Sequence, residues 1–128
     1  MAAQTGGLRD LLNETEPVVD LAGAVASLGG SWEAFCDVGQ EFLNHMQDLR
    51  PRWDAGYATV ALLQAAVHEA GSSLGAVGAV RAHHLARRIE DRLRRGEPLT
   101  PDTLPGLVDT IDAAVAAIRQ AMAGEPPV

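Results

Sequence analysis

The sequence has no lysine and a single cysteine, and only 4% of its residues are aromatic. With Cys36 alone, no intrachain disulfide can form, which fits a reducing compartment. No stretch approaches the ~18 continuous apolar residues that a membrane-spanning helix needs. Residues 1–7 lack the apolar centre of a secretion signal. We therefore expect a cytoplasmic protein that does not enter a membrane.

Basic residues are also scarce, and the formal net charge is −7. Nucleic acids and anionic lipids attract basic surfaces, so neither is an expected partner. All ten basic residues are arginines. Six of them fall in one short segment: Arg81, Arg87, Arg88, Arg92, Arg94 and Arg95. Proteins are the expected partners, and this segment could meet an acidic one.

What the sequence does contain favours helices. Its 128 residues are enough for one hydrophobic core, and 47% of them are hydrophobic, mainly Ala, Leu and Val. Apolar residues recur at spacings of three and four over residues 35–49, 63–77, 82–93 and 104–122, which predicts four amphipathic helices. A shorter helix is expected over residues 20–28. The predicted fold is all-α, an antiparallel four-helix bundle with a short additional N-terminal helix.

Capping and helix-breaking residues set the expected helix ends. Asp20, Ser31 and Thr59 are each suited to cap the N-terminus of the helix that follows. The first long helix should stop near Pro51, and Gly78 should separate the second long helix from the third.

The organisation that follows is a single domain with two tails. Residues 1–16 are predicted to be a flexible tail with at most one helical turn. Residues 17–123 form the bundle, and residues 124–128 form a C-terminal tail. No repeat or linker divides the bundle.

His68 is the candidate reactive residue. It lies about 100° around its helix from the apolar line, so its ring should face outward. Its neighbours on the same helix face are Gln64, Gly71, Ser72 and Gly75. Glycines inside a helix cost roughly 1 kcal/mol each relative to alanine. Two explanations stay open: they let another macromolecule approach the imidazole closely, or they serve tight helix packing or an early helix end.

Other chemistry finds little support in the sequence. His83 and His84 are consecutive and so lie about 100° apart, and no His-x-x-x-His spacing occurs, so no metal site is expected. There is no phosphate-binding loop, kinase signature or dinucleotide fingerprint, which argues against a bound nucleotide. Whether the protein counts as an enzyme is left open by these absences.

Residues 66–79, with the sequence Ala-Val-His-Glu-Ala-Gly-Ser-Ser-Leu-Gly-Ala-Val-Gly-Ala, resemble a known signature. It belongs to the histidine-containing phosphotransfer (HPt) domain family, in which a Gly-Ala pair follows the phosphorylated histidine by ten residues. His68 and the pair at residues 78–79 keep that spacing. Residues 80–90 are similar to the next family helix, and residues 19–30 to its first helix and Gly-Gly turn.

The resemblance covers residues 17–123 and implies a function. Such a domain accepts a phosphoryl group on its histidine, here His68, from a receiver-domain aspartate and passes it to another receiver. The implied partners are receiver domains of response regulators or hybrid histidine kinases. The partner is expected to bring Mg²⁺, and this chain no cofactor. The residues expected to meet the partner are Gln64, Gly71, Ser72, Gly75 and Arg81, and we expect the chain to act as a monomer.

Two departures from the family pattern lie next to His68. Position 71 usually holds a lysine and is Gly71 here, and position 72 usually holds a glycine and is Ser72 here. The missing lysine removes a cation that would stabilise the phosphoryl group. The alternative function is therefore an HPt-like binding module that docks a receiver or other signalling protein without carrying phosphate. If transfer is the native function, the partner or a nearby arginine such as Arg81 would supply the charge.

Overall fold

The computed structural model describes residues 7–126, and this part of the chain contains six helices and no strand. The helices are α1 (Leu8–Leu11), α2 (Leu21–Ser27), α3 (Trp32–Ala55), α4 (Val60–Ala76), α5 (Val80–Arg94) and α6 (Thr103–Ala123). None of them is both long and apolar enough to cross a membrane. The predicted all-α class is confirmed.

Helices α3 to α6 form the four-helix bundle. Each contacts two others, in a closed ring that runs α3, α4, α5, α6 and back to α3, and α4 packs most closely against α5. Short connections make consecutive helices antiparallel. The largest fully buried apolar side chains come from all four helices and the residue that ends α4: Phe35, Val67, Leu74, Val77, Leu85, Ile89, Leu107 and Ile118. This core holds α4 and α5 at close, fixed separation.

The predicted N-caps are confirmed. The side chains of Asp20, Ser31 and Thr59 accept hydrogen bonds from backbone N–H groups three residues further on, at the starts of α2, α3 and α4. Each such cap typically contributes about 1 kcal/mol to stability. The caps thus fix where α4, the helix that carries His68, begins.

The predicted end of α3 near Pro51 is wrong, because the helix continues to Ala55 and ends at Gly56, whose φ is 82°. A proline inside a helix loses one backbone hydrogen bond. Contacts on both sides of Pro51 offset this loss, since Arg50 before it pairs with Asp112 of α6 and Trp53 after it packs against the core.

Helix α6 buries a wider arc than the sequence stripe predicted. Leu107 and Ala114 are fully buried, whereas Val108 and Val115 from the predicted stripe are only half-buried. The reason is that α6 contacts both α3 and α5, so its buried face spans the directions of two neighbours.

Residues 7–16 pack against the bundle, although the sequence analysis placed them in a flexible tail. Leu11 is buried in the core, and Arg88 of α5 donates hydrogen bonds to the Leu11 carbonyl and to the Glu16 carboxylate. Glu16 also pairs with His84. The domain boundaries stay predictions, and residues 1–6 and 127–128 of the two tails lie outside the described residues.

Gly78 joins α4 to α5 in a conformation that other residues rarely adopt, with φ of 73°. A Cβ atom there would lie 2.7 Å from the Asp20 carbonyl oxygen and 2.8 Å from the Ala24 Cβ. We expect Gly78→Ala to lower the free energy of unfolding by about 3 kcal/mol or more, because backbone strain and overpacking add.

Gly96 supplies the matched control. It has φ of 70° but nothing within 4 Å of a Cβ atom, so Gly96→Ala introduces strain without a clash. It should lower the free energy of unfolding by only about 1 kcal/mol in urea titrations. Equal losses at the two positions would contradict the packing role of Gly78.

Candidate functional site

His68 lies in the middle of α4, and 55% of its side chain is exposed to solvent. The exposed residues on the same face of the helix are all small: Ala61, Ala65, Ser72 and Gly75. Among the exposed residues of this face, the imidazole is therefore the one large group, and the half-buried Gln64 lies one turn before it.

Beneath the imidazole lies a buried carboxylate that the sequence analysis did not single out. Glu90 of α5 has only 4% of its side chain exposed, and its Oε2 atom is 2.8 Å from His68 Nδ1. Glu90 follows Ile89 on the buried side of α5, so it reaches α4 from within the interface. The sequence did contain a signal for Glu90. It is an acidic residue beside the apolar stripe of its helix, with arginines three residues before it and four residues after it.

Two arginines of α5 complete the surroundings of Glu90. Arg87 Nη1 donates to Glu90 Oε1 at 3.0 Å, and Arg94 Nη2 lies 2.6 Å from Glu90 Oε2. Burial by itself would raise the pKa of Glu90, but hydrogen bonds from Arg87 and His68 and the charges of His68 and Arg94 bring it below its ordinary value. Glu90 is thus a carboxylate, which can only accept hydrogen bonds.

This charge state decides the protonation of the imidazole nitrogens. His68 Nδ1 must donate to Glu90, because an ionised carboxylate has no proton to offer. Arg87 Nη1 also lies 3.1 Å from His68 Nδ1, but two donors cannot bond to each other, so this is a close contact only. No described residue forms a hydrogen bond with His68 Nε2. In the neutral imidazole, Nε2 is therefore the nitrogen with the free lone pair, on a side chain that is 55% exposed.

The two glycines near His68 contact α5, which corrects the expectation that both belong to a bare outer face. Gly71 is buried, and a Cβ atom there would lie 3.3 Å from Arg87 Nη1 and 3.4 Å from the Ala86 Cβ. Gly75 is exposed, but its Cβ would come within 2.9 Å of His83 Nδ1. Close packing of α4 on α5 therefore accounts for Gly71, and a side chain at Gly75 would meet His83. That a partner approaches the imidazole over these glycines stays a prediction.

The other predicted docking residues have separate positions. Ser72 is exposed, donates a hydrogen bond to the His68 carbonyl oxygen and accepts one from Arg87 Nη2, both at 3.2 Å. Gln64 is half-buried. Arg81 does not reach His68, because its guanidinium donates to the backbone carbonyl oxygens of Glu14 and Glu16.

The remaining arginines of the basic segment also have acidic partners within the chain, so the segment is not an open basic surface. Arg88 pairs with Glu16, Arg92 with Glu97, Arg94 with Glu90, and Arg95 with both Asp91 and Glu97. Arg87 is the arginine that lies beside His68, and its position relative to α4 could not be found without the packing of the two helices.

Comparison with protein-family models matches residues 30–121 to the Hpt domain, which is most of the chain. The chain belongs to the Hpt domain family. Searches of curated proteins and of solved structures each gave no significant match. The family that the sequence resemblance predicted is therefore confirmed, and with it a phosphotransfer module of the two-component type. Within the matched residues of this HPt domain lie His68, Arg87 and Glu90.

The paired carboxylates make the stability of this HPt domain depend on pH. Despite burial, hydrogen bonds and charges from their basic partners hold the pKa values of Glu16 and Glu90 below the ordinary value of 4.5. A group whose pKa is lower in the folded state stabilises the fold above its unfolded pKa, and this contribution is lost as pH falls through the folded value.

We therefore expect the free energy of unfolding to decrease as the pH is lowered below about 4.5. Urea titrations at a series of pH values would measure the slope. Glu90→Gln should flatten part of it, because the amide does not titrate. A variant with the same slope as the wild type would show that Glu90 is not held ionised in the fold.

Proposed function

We propose that this HPt domain is a phosphorelay intermediate that accepts a phosphoryl group on His68 from a receiver-domain aspartate and passes it to another receiver. The observation that carries the proposal is the state of the imidazole. Its Nδ1 atom is held by a buried carboxylate at 2.8 Å, and its Nε2 atom has the free lone pair, on an exposed ring in a strip of small exposed residues of α4.

The chemistry needs little from the chain beyond this arrangement. The lone pair of Nε2 attacks the phosphorus of the aspartyl phosphate, the N–P bond forms, and the O–P bond breaks as the aspartate carboxylate leaves. The proton on Nδ1 stays in place, so the phosphorylated ring carries a positive charge. Glu90 lies against that charge and stabilises it. Transfer to the second receiver is the same step in reverse.

The partner supplies the remaining requirements. Receiver domains of response regulators or hybrid histidine kinases are expected to bring the aspartate and a bound Mg²⁺, which neutralises the transferring oxygens. This agrees with the absence of a nucleotide-binding motif from the sequence. The small residues around His68 leave room for the partner to bring its aspartate in line with Nε2.

Receiver docking on this strip can be tested at Ala65, one turn before His68 and exposed. We expect Ala65→Trp to reduce phosphoryl transfer at least about tenfold without lowering stability, because the indole would occupy the space that the receiver must enter. Transfer rates and thermal unfolding midpoints would be measured together.

Ala113, which is exposed on α6, is the control position. It lies on α6, which is diagonally opposite α4 in the ring of the bundle, so Ala113→Trp should leave transfer unchanged. Normal transfer by Ala65→Trp would show that the receiver docks elsewhere.

The direct test of the function is incubation with a phosphorylated receiver domain, followed by analysis of the label on this chain. Phosphohistidine is labile in acid and stable in base. We expect such label on the wild-type protein and its return to a second, unphosphorylated receiver. Stable binding of the receiver with no transfer of label would instead favour the alternative function, a docking module that carries no phosphate.

A further inference from the structure

The cation that the family usually places at position 71 is absent from α4, and an arginine of the neighbouring helix lies over that position. A Cβ atom on Gly71 would be 3.3 Å from Arg87 Nη1 and 3.4 Å from Arg87 Cζ. This is tighter than most contacts of real side chains, so the guanidinium lies in the room that the glycine leaves. Glycine in place of lysine at position 71 therefore leaves the space that the Arg87 guanidinium occupies.

The guanidinium of Arg87 contacts a buried carboxylate through one nitrogen and an exposed hydroxyl through the other. Its Nη1 atom donates to the buried Glu90 carboxylate at 3.0 Å and lies 3.1 Å from His68 Nδ1. Its Nη2 atom donates to the exposed Ser72 hydroxyl at 3.2 Å. Ser72 is one turn after His68 on the same exposed face of α4.

We propose that Arg87 is the resident cation of the site and that it binds phosphoryl oxygens during transfer to and from His68. The inference rests on the proposed function, and it names the residue that replaces the missing lysine. Arg87 is half-buried, so its charge is less screened than that of a fully exposed side chain. Glu90 keeps Arg94 and His68 as partners when Arg87 turns toward the phosphate.

Three variants, with Gly71→Lys alone as a fourth for comparison, distinguish the effect of the positive charge from that of side-chain shape. Arg87→Gln removes the cation, Arg87→Lys keeps it on α5, and the double variant Arg87→Gln with Gly71→Lys moves it to α4. Loss of a charged hydrogen bond predicts that Arg87→Gln accepts phosphate about tenfold more slowly. Arg87→Lys and the double variant should each recover most of this loss, whereas Gly71→Lys in the wild-type background should give little gain because Arg87 occupies the space.

The variants are phosphorylated with two donors. One is a phosphorylated receiver domain, and the other is phosphoramidate, a small phosphoryl donor that needs no docking. Phosphorylation of His68 is followed by mass spectrometry, with His84 as the internal reference, and unfolding midpoints establish that each variant folds. Labelling of His68 in Arg87→Gln at the wild-type rate with both donors would overturn the inference. So would a slow double variant, since the charge alone would then not restore the rate.

A different labelling result would reject the proposed function without rejecting the role of Arg87. If the receiver labels no variant, but phosphoramidate labels His68 more slowly in Arg87→Gln and normally in the double variant, then transfer from receivers is not the function. The assignment of Arg87 as the cation beside His68 still holds in that case.

Discussion

Replacing His68 with glutamine should abolish phosphoryl acceptance while leaving the fold intact. Nε2 of His68 is the proposed nucleophile, and glutamine has no nucleophilic nitrogen to put in its place. Because the side chain is 55% exposed, the free energy of unfolding should change by no more than about 1 kcal/mol. The measurements are label transferred from a phosphorylated receiver and a urea titration of each protein.

His84 offers a closely matched control. Its Nδ1 atom also pairs with a carboxylate, that of Glu16, and 45% of its side chain is exposed, but it lies on α5 away from the small-residue strip of α4. His84→Gln should accept phosphate at the wild-type rate. Retained labelling in His68→Gln, or its loss in His84→Gln, would place the phosphorylated residue elsewhere.

Glu90→Ala should lower the rate of phosphoryl acceptance about tenfold or more. Without Glu90, nothing fixes the proton on Nδ1, so Nε2 loses its free lone pair in part of the molecules, and the charge on the phosphorylated ring loses its partner. Arg87 and Arg94 also lose their buried acceptor, so the free energy of unfolding should fall by about 1–3 kcal/mol.

Glu90→Gln separates the hydrogen bond from the charge. Its amide oxygen can still accept from Nδ1, so this variant should fall between the wild type and Glu90→Ala in rate. Transfer and unfolding would be measured on the same preparations. A Glu90→Ala variant that is destabilised but transfers at the wild-type rate would leave Glu90 with a structural role only.

Much of the fold follows from local patterns in the sequence. The caps at Asp20, Ser31 and Thr59 act through atoms three residues away, so their helix starts could be predicted. The end of α3 could not, because the contacts that stabilise the helix around Pro51 include the pair of Arg50 with Asp112, which is 62 residues away in the chain.

The candidate site was predictable only on its own helix. Helical geometry places His68 on the outer face of α4, and the structure agrees. Glu90 and Arg87 could not be found in this way, because their role depends on how α5 is rotated against α4. The same packing buries Gly71, which helical geometry alone places on the exposed face of α4. Arg81, the arginine first considered as a source of charge, instead donates to the backbone carbonyl oxygens of Glu14 and Glu16, which are 65 or more residues away in the chain.

We expect phosphate to be carried on Nε2 of His68 while Nδ1 keeps its proton against Glu90. Nuclear magnetic resonance of the phosphorylated domain, with ¹⁵N-labelled histidine, measures this directly through the coupling between phosphorus and the bonded nitrogen. We expect the coupling at His68 Nε2 and a proton on Nδ1. A phosphorus coupled to Nδ1, or to a histidine other than His68, would contradict the claim.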